Sequence, residues 1–299
     1  MLFYCEGLIM KIKIESEQNL IEILSESFPN SSKNKIRKML TEGRISVNGE
    51  IEHKAKRPLK KSDEVEILDR TTSREITPPP KQKPNNLNII FEDDDILVVE
   101  KPAGLLSVAT NKMEPDTLHS RCVDYVKSKD PSNWCFIVHR LDRETSGIML
   151  LAFSKHSKEY LQEQFAERSV YRTYYALVEG NLPAKTGTEI EWLLEDKNLR
   201  VKKVSPKTKT AKEAITHWEV MKENQETSLI RIMIDTGRRH QIRMAMKSLD
   251  TPVVGDSLHG AQTDPLGRIC LHASSLEFLH PSTDEPVRFE TKVPFDART

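Results

Sequence analysis

Two short apolar runs flanking a nine-residue charged loop constrain this chain more than any other feature. Ile137-Val138 leads in, and Ile148-Met149-Leu150-Leu151-Ala152-Phe153 leads out. Between them stands His139-Arg140-Leu141-Asp142-Arg143-Glu144-Thr145-Ser146-Gly147. Such runs around a polar loop with a terminal glycine read as strand, functional loop, strand. A plain hairpin would turn on Asn-Gly or Asp-Gly, whereas this loop concentrates charge. Asp142 therefore reads as a placed carboxylate, with arginines on both sides expected to keep it ionised.

From Leu87 onward, strand-like runs outnumber helices. Ile89-Ile90-Phe91 and Ile96-Leu97-Val98-Val99 are predicted strands, as are 172–178, 214–220 and 229–235. Asp116-Thr117-Leu118 opens a helix to about Lys127, capped by the acid, and 157–167 forms another. The fold class is α+β: a mixed, mainly antiparallel sheet with flanking helices. Thr77-Pro78-Pro79-Pro80-Lys81-Gln82-Lys83-Pro84 cannot pack a core, so 71–86 reads as a semi-rigid proline-rich linker. It separates a small unit, 11–70, from a large one, 87–299.

In the small unit, residues 17–29 put Leu20, Ile21, Ile23, Leu24 and Phe28 on one helical face. Ser32 is the expected cap of a second helix, with Ile36, Met39 and Leu40 inward and Lys33, Lys35, Arg37 and Lys38 outward. Arg44-Ile45-Ser46-Val47 then alternates as a strand, turns at Asn48-Gly49, and is closed by Val65 and Ile67. This order is similar to an S4-type RNA-binding domain, a small α/β unit. The resemblance implies a basic helix and adjoining loop, Arg44 included, resting on phosphates.

Formal net charge is zero, so average composition advertises no polyanion partner; local patches do. Residues 31–62 carry ten Lys/Arg against three Glu, and 197–212 carry seven Lys/Arg and no acid, among them Lys202, Lys203 and Lys207. Two basic surfaces in a neutral chain suggest extended contact with a polyanion. Charged residues at 30% and hydrophobic ones at 37% suit a soluble globular protein. Cys5, Cys122, Cys135 and Cys270 form no CxxC pair and no zinc spacing, which argues for reduced thiols, a cytoplasmic setting and no structural metal. The mildly apolar opening, 1–10, lacks a basic flank and is too short to span a bilayer, so no membrane partner is expected. Met10-Lys11-Ile12-Lys13 looks like an equally natural start. Nothing in the sequence sets an oligomeric state.

The charged loop resembles the signature of RluA-type pseudouridine synthases, and four further segments match that family in order. They are Lys101-Pro102-Ala103-Gly104-Leu105-Leu106, then 172–180, then Thr236-Gly237-Arg238-Arg239-His240-Gln241-Ile242-Arg243, then 271–278 with His280-Pro281. The resemblance implies the pseudouridine synthase fold and isomerisation of uridine in structured RNA, with large-subunit ribosomal RNA favoured over transfer RNA. It casts Asp142 as the essential catalytic residue, Tyr174 as the active-site tyrosine and Arg243 as the partner of an ion pair with Asp142. Arg140 would fill the space left by the flipped base, and Leu271 would line the pocket under the ring. Arg238 would lie nearer the RNA backbone, while His139 and Gln241 complete the substrate-binding set. Departures occur at Met244-Ala245, where Val-His is usual, and at His259-Gly260, where tyrosine-glycine is usual. Those positions are expected to shape RNA contact or packing.

The isomerisation changes no oxidation state and moves no phosphoryl group, so no cofactor or metal is expected, and Walker, Rossmann and zinc patterns are absent. No ligand series surrounds His240 to make it a metal site. Two rival readings fit parts of the pattern. A glycosidase would pair Asp142 with Glu144, but no aromatic sugar platform stands nearby. A non-catalytic RNA-binding relative would have no use for intact Asp142, Tyr174 and Arg243.

Overall fold

Two helices with one apolar face each build the N-terminal unit, Met1–Lys83. The computed structural model describes residues 8–29, 31, 33–68, 87–110, 114–196 and 199–296. Ser32, the segment 71–86 and the side chains of Lys33 and Lys38 lie outside the described residues. In this unit β1 (Leu8–Lys13), β2 (Gln18–Asn19), α1 (Leu20–Ser27), α2 (Lys33–Thr41), β3 (Ile45–Val47), β4 (Glu50–Ile51), β5 (Pro58–Leu59) and β6 (Glu64–Leu68) follow in order. Leu20, Ile23 and Leu24 of α1 pack with Ile36, Met39 and Leu40 of α2 against Ile45, Val47, Val65 and Ile67. Burial of each such side chain contributes about 1.5–3 kcal/mol. The first helix starts later than its periodicity predicts, because Gln18 and Asn19 are extended and pair with Leu59 and Pro58. The sheet runs β1-β6-β3-β4, antiparallel throughout. Asn48 and Gly49 both take positive φ, 55° and 83°, as a two-residue hairpin of this twist requires.

The second unit, Pro84–Thr299, is organised by strands buried on both faces. It comprises β7 (Asn88–Glu92), β8 (Ile96–Lys101), α3 (Leu118–Lys129), β9 (Phe136–Ile137), β10 (Ser146–Ala152), α4 (Lys155–Glu167), β11 (Tyr171–Glu179), β12 (Thr186–Glu195), β13 (Val201–Lys203), β14 (Lys212–Glu223), β15 (Thr227–Ile234), α5 (Gln241–Ser248), β16 (Leu271–Leu279) and β17 (Pro286–Glu290). Leu97, Val99, Met149 and Leu151 face one core with α3 residues Cys122 and Val126. Their neighbours Ile96, Val98, Ile148 and Leu150 face another with Leu161 of α4. Double coverage is why these strands read as unbroken apolar runs. The cap of α3 is Thr117, whose hydroxyl accepts from Ser120 N. Asp116, the expected cap, instead pairs with Arg121 at 2.7 Å.

The described sheet runs β13-β12-β14-β15-β11-β16-β10-β8-β7, with β17 on β16 and β9 on β10. Its pairings are antiparallel except β10 with β16, which are parallel at Ser146↔His272 and Gly147↔Ala273. Gly147 has φ 117°, and a Cβ there would lie 2.1 Å from the Ala273 carbonyl oxygen. Only glycine permits this approach, and it holds the end of the charged loop against the start of β16. No helix among the described residues is long and apolar enough to cross a membrane.

Candidate active site

The charged loop is pinned from below by the segment that follows β8. Ser107 Oγ donates to Leu141 O at 2.7 Å and accepts from Leu141 N at 3.1 Å. Gly104 N donates to Arg143 O at 2.9 Å. Lys101 is fully buried, and its ammonium donates to the carbonyls of Pro102, Leu105 and Arg143 at 2.9, 2.7 and 2.8 Å. All three of its protons are therefore satisfied. Burial pulls its pKa from 10.5 down to about 7, against the pull of Glu144 and Asp142. The buried lysine and Gly104 N together tie this loop to residue 143.

Above this support lies a cavity of about 410 Å³ whose walls come from four separated stretches of chain. Asp142, Tyr174, Arg243 and Leu271 all line it, with Arg140 and Arg238. Tyr174 and Leu271 are buried, and Tyr174 stands on the core-facing side of β11. Burial raises the Tyr174 pKa; Arg172 opposes this and Asp142 adds to it. Arg140 is exposed at the mouth. The cavity thus brings a carboxylate, a phenol and a guanidinium together on its walls.

The expected Arg243–Asp142 ion pair is present only as a long contact, Nη1 to Oδ2 at 3.9 Å. The principal partner of Arg243 is Asp256, which accepts from Nε at 2.6 Å and Nη2 at 2.7 Å. Asp256 is fully buried, and this bidentate fork fixes the guanidinium plane. Asp142 is also approached by His240 Nε2 at 4.0 Å. The flanking arginines do not keep Asp142 at its ordinary pKa. Burial raises it, and Arg243, Arg239, Arg140 and Lys101 only partly counter that. Arg143 points elsewhere, its Nη2 4.0 Å from Glu114.

Several predicted contacts take other roles. Gln241 is buried with its amide fully used: Oε1 accepts from Thr236 Oγ1 and Arg238 N, and Nε2 donates to Ile215 O and Thr216 Oγ1. It shapes the 236–241 loop and has no capacity left for substrate. His139 accepts from Leu150 N at 3.1 Å and stacks on Phe165, with burial pulling its pKa to about 3. It is a neutral wall of the cavity. Arg238 is tethered through Nε to Glu213 O at 3.0 Å. Arg172, not singled out from the sequence, lines the cavity and donates to Ile234 O at 3.2 Å.

The basic surfaces divide similarly. Lys35 is exposed and Arg37 half-buried on α2. Arg44 is not a free phosphate contact, because its Nε donates to Leu68 O at 3.0 Å and Nη1 lies 3.8 Å from Glu42. Lys203 folds onto Glu189 and Glu191 at 3.2 and 3.0 Å, while Lys202 and Lys207 are exposed.

Residues 95–248 match the family model described as RNA pseudouridylate synthase, and 18–65 match the S4 domain. The uncharacterized RNA pseudouridine synthase MG209 of Mycoplasma genitalium is 36% identical over 276 residues, 90% of this chain and 87% of that protein. The chain belongs to the RNA pseudouridine synthase family. This synthase is also 32% identical over 292 residues to ribosomal large subunit pseudouridine synthase D of Xanthomonas campestris, covering 92% of this chain and 85% of that one. Among solved structures, human RNA pseudouridylate synthase domain containing 1 superposes with a TM-score of 0.58 at 25% identity, covering 72% of this chain and 86% of that chain. The synthase therefore has the α+β pseudouridine synthase fold with an N-terminal S4 domain, and is an enzyme of RNA modification.

Proposed function

We propose that the cavity isomerises uridine in structured large-subunit ribosomal RNA, and that Asp142 is the group on which the reaction depends. The observation that carries this reading is the convergence of Asp142, Tyr174 and Arg243 on one cavity of about 410 Å³, within the size range of small-ligand pockets. The reaction breaks the C1′–N1 bond, turns the ring and forms C1′–C5; C5 loses a proton and N1 gains one. A carboxylate serves as nucleophile at sugar or ring, or as base for the 2′ proton. Arg243, fixed by Asp256, aims positive charge at Asp142 as electrostatic preorganisation. Tyr174 stacks on the uracil and carries the C5 proton, Leu271 lies under the ring, and Arg140 fills the gap left in the helix.

Extruding the uridine costs a few kcal/mol, offset by backbone contacts elsewhere. In this reading 11–70 grips RNA through the basic face of α2, 71–86 links, and 87–299 performs the chemistry with Lys202 and Lys207 on phosphates. The name of the Xanthomonas campestris relative supports ribosomal over transfer RNA. The buried thiols of Cys122, Cys135 and Cys270 are consistent with work in the cytoplasm. Asp142→Asn is expected to abolish tritium release from C5-labelled uridine in ribosomal RNA while RNA binding persists. Turnover at the native rate would end the proposal.

A further inference from the structure

His240 has a second contact that the reading above does not use. Its Nδ1 lies 3.0 Å from Nε2 of His259, ring edge against ring face. His259 is buried behind the cavity wall, whereas His240 forms part of that wall. A hydrogen bond between two neutral imidazoles holds one proton, so it can be made in two ways that differ in the tautomer of His240. In one, His240 carries its proton on Nδ1 and turns the lone pair of Nε2 toward the Asp142 oxygen 4.0 Å away. In the other, His259 donates from Nε2, His240 accepts at Nδ1, and Nε2–H faces the carboxylate. An N–H is favoured over a lone pair beside negative charge, which biases the pair toward the second, but at 4.0 Å the carboxylate alone does not fix it.

The surroundings hold both rings neutral and in place. Burial lowers both pKa values. Arg243 and Arg239 face His240, and Arg243 and Lys247 face His259, against the Asp256 and Asp142 carboxylates. Asp256 caps the short turn Ser257–His259, with its side chain accepting from His259 N. The carboxylate that orients Arg243 thus also sets His259. His240 itself sits at φ 53°, an unusual conformation for a non-glycine residue, at the N-terminus of α5.

We propose that His259 is a positioning residue for the isomerisation: its Nε2–H locks His240 in the tautomer whose own Nε2–H is presented to Asp142. This rests on the assignment of Asp142 as the essential carboxylate. Long-range proton–nitrogen spectra of the isotope-labelled full-length protein, with His240 identified by its loss in His240→Gln, test it directly. The expected result is Nε2–H at His240 in the native protein and mixed tautomers in His259→Leu. That variant should also lose about 10- to 100-fold in kcat with little change in KM, equivalent to the loss of one hydrogen bond to a charged group. His259→Gln, whose amide N–H reaches the same point, should restore both tautomer and rate. A native His240 protonated on Nδ1, an unchanged tautomer in His259→Leu, or a His259→Gln variant as slow as His259→Leu would each overturn the proposal. The spectra need no RNA, so failure here is distinct from failure of Asp142→Asn to lose turnover.

Discussion

Arg243 and Asp256, beside the cavity, are 6% and 0% exposed and meet through two short bonds, whereas Lys203 on β13 is half-exposed and rests on its acids through single contacts. The two regions use charge for different ends. A buried pair offsets its desolvation only when geometry and hydrogen bonding are complete, so its presence fixes a side chain in one orientation. An exposed pair is worth no more than about 1 kcal/mol, so it holds its lysine far less firmly. Chemistry needs the first arrangement, whereas affinity for a long polyanion rests on exposed lysines such as Lys202 beside it.

The sharpest break of this contrast is Asp256→Ala. It strands a buried guanidinium, and the expected loss is about 3–5 kcal/mol of folding stability, read as a fall in the urea midpoint. A loss below about 1 kcal/mol would mean that the cavity's charges are held no more firmly than those of the β12–β13 hairpin.

Lys101 gives a smaller effect with a definite sign. Its pKa is about 7 in the folded protein against an ordinary 10.5. Between those values the unfolded chain keeps a proton that the folded chain has released. Unfolding free energy from this group therefore rises with pH across that window, by up to about 1.4 kcal/mol per unit. Below pH 7 both states hold the proton and the contribution is flat. Lys101→Met should remove the slope in denaturation measured from pH 7 to 10. An unchanged slope would show that the three carbonyls do not hold a titrating group.

How far each of these features could be read from the chain depends on the range of the interaction. The strands at 96–99 and 148–152 were legible because both faces are buried and every residue is apolar. The strand Thr186–Glu195 escaped notice, since Glu189, Glu191 and Glu195 interrupt its apolar residues; one of these, Glu191, is buried against Ser248 and Lys203. Asp142, Tyr174, Arg243 and Leu271 were legible because each sits in a motif of distinctive composition. The role of Asp256 was not, because its partner lies thirteen residues away across a turn. The available signal was an acid next to Gly255 after the apolar pair Val253-Val254, which marks a buried turn and leaves its partner unnamed. Gln241 and Arg44 look like ligand-binding groups by type, but the fold engages their donors with Ile215 O and Thr216 Oγ1, and with Leu68 O and the Glu42 carboxylate.

Lys202 and Lys203 test the same distinction at the smallest scale, because the sequence treats them alike and adjacent strand residues point to opposite faces. Lys203 neutralises the buried Glu191, whose side chain is 1% exposed, while Lys202 extends to solvent. Lys202→Ala should weaken RNA binding and lower the slope of log affinity against log salt by about one, with the thermal midpoint unchanged. Lys203→Ala should leave the salt slope nearly native but cost about 1 kcal/mol of stability, since among the described residues it leaves Glu191 with the Ser248 hydroxyl. Equal salt slopes and equal stabilities in the two variants would erase the distinction, and both lysines would then be ordinary phosphate contacts.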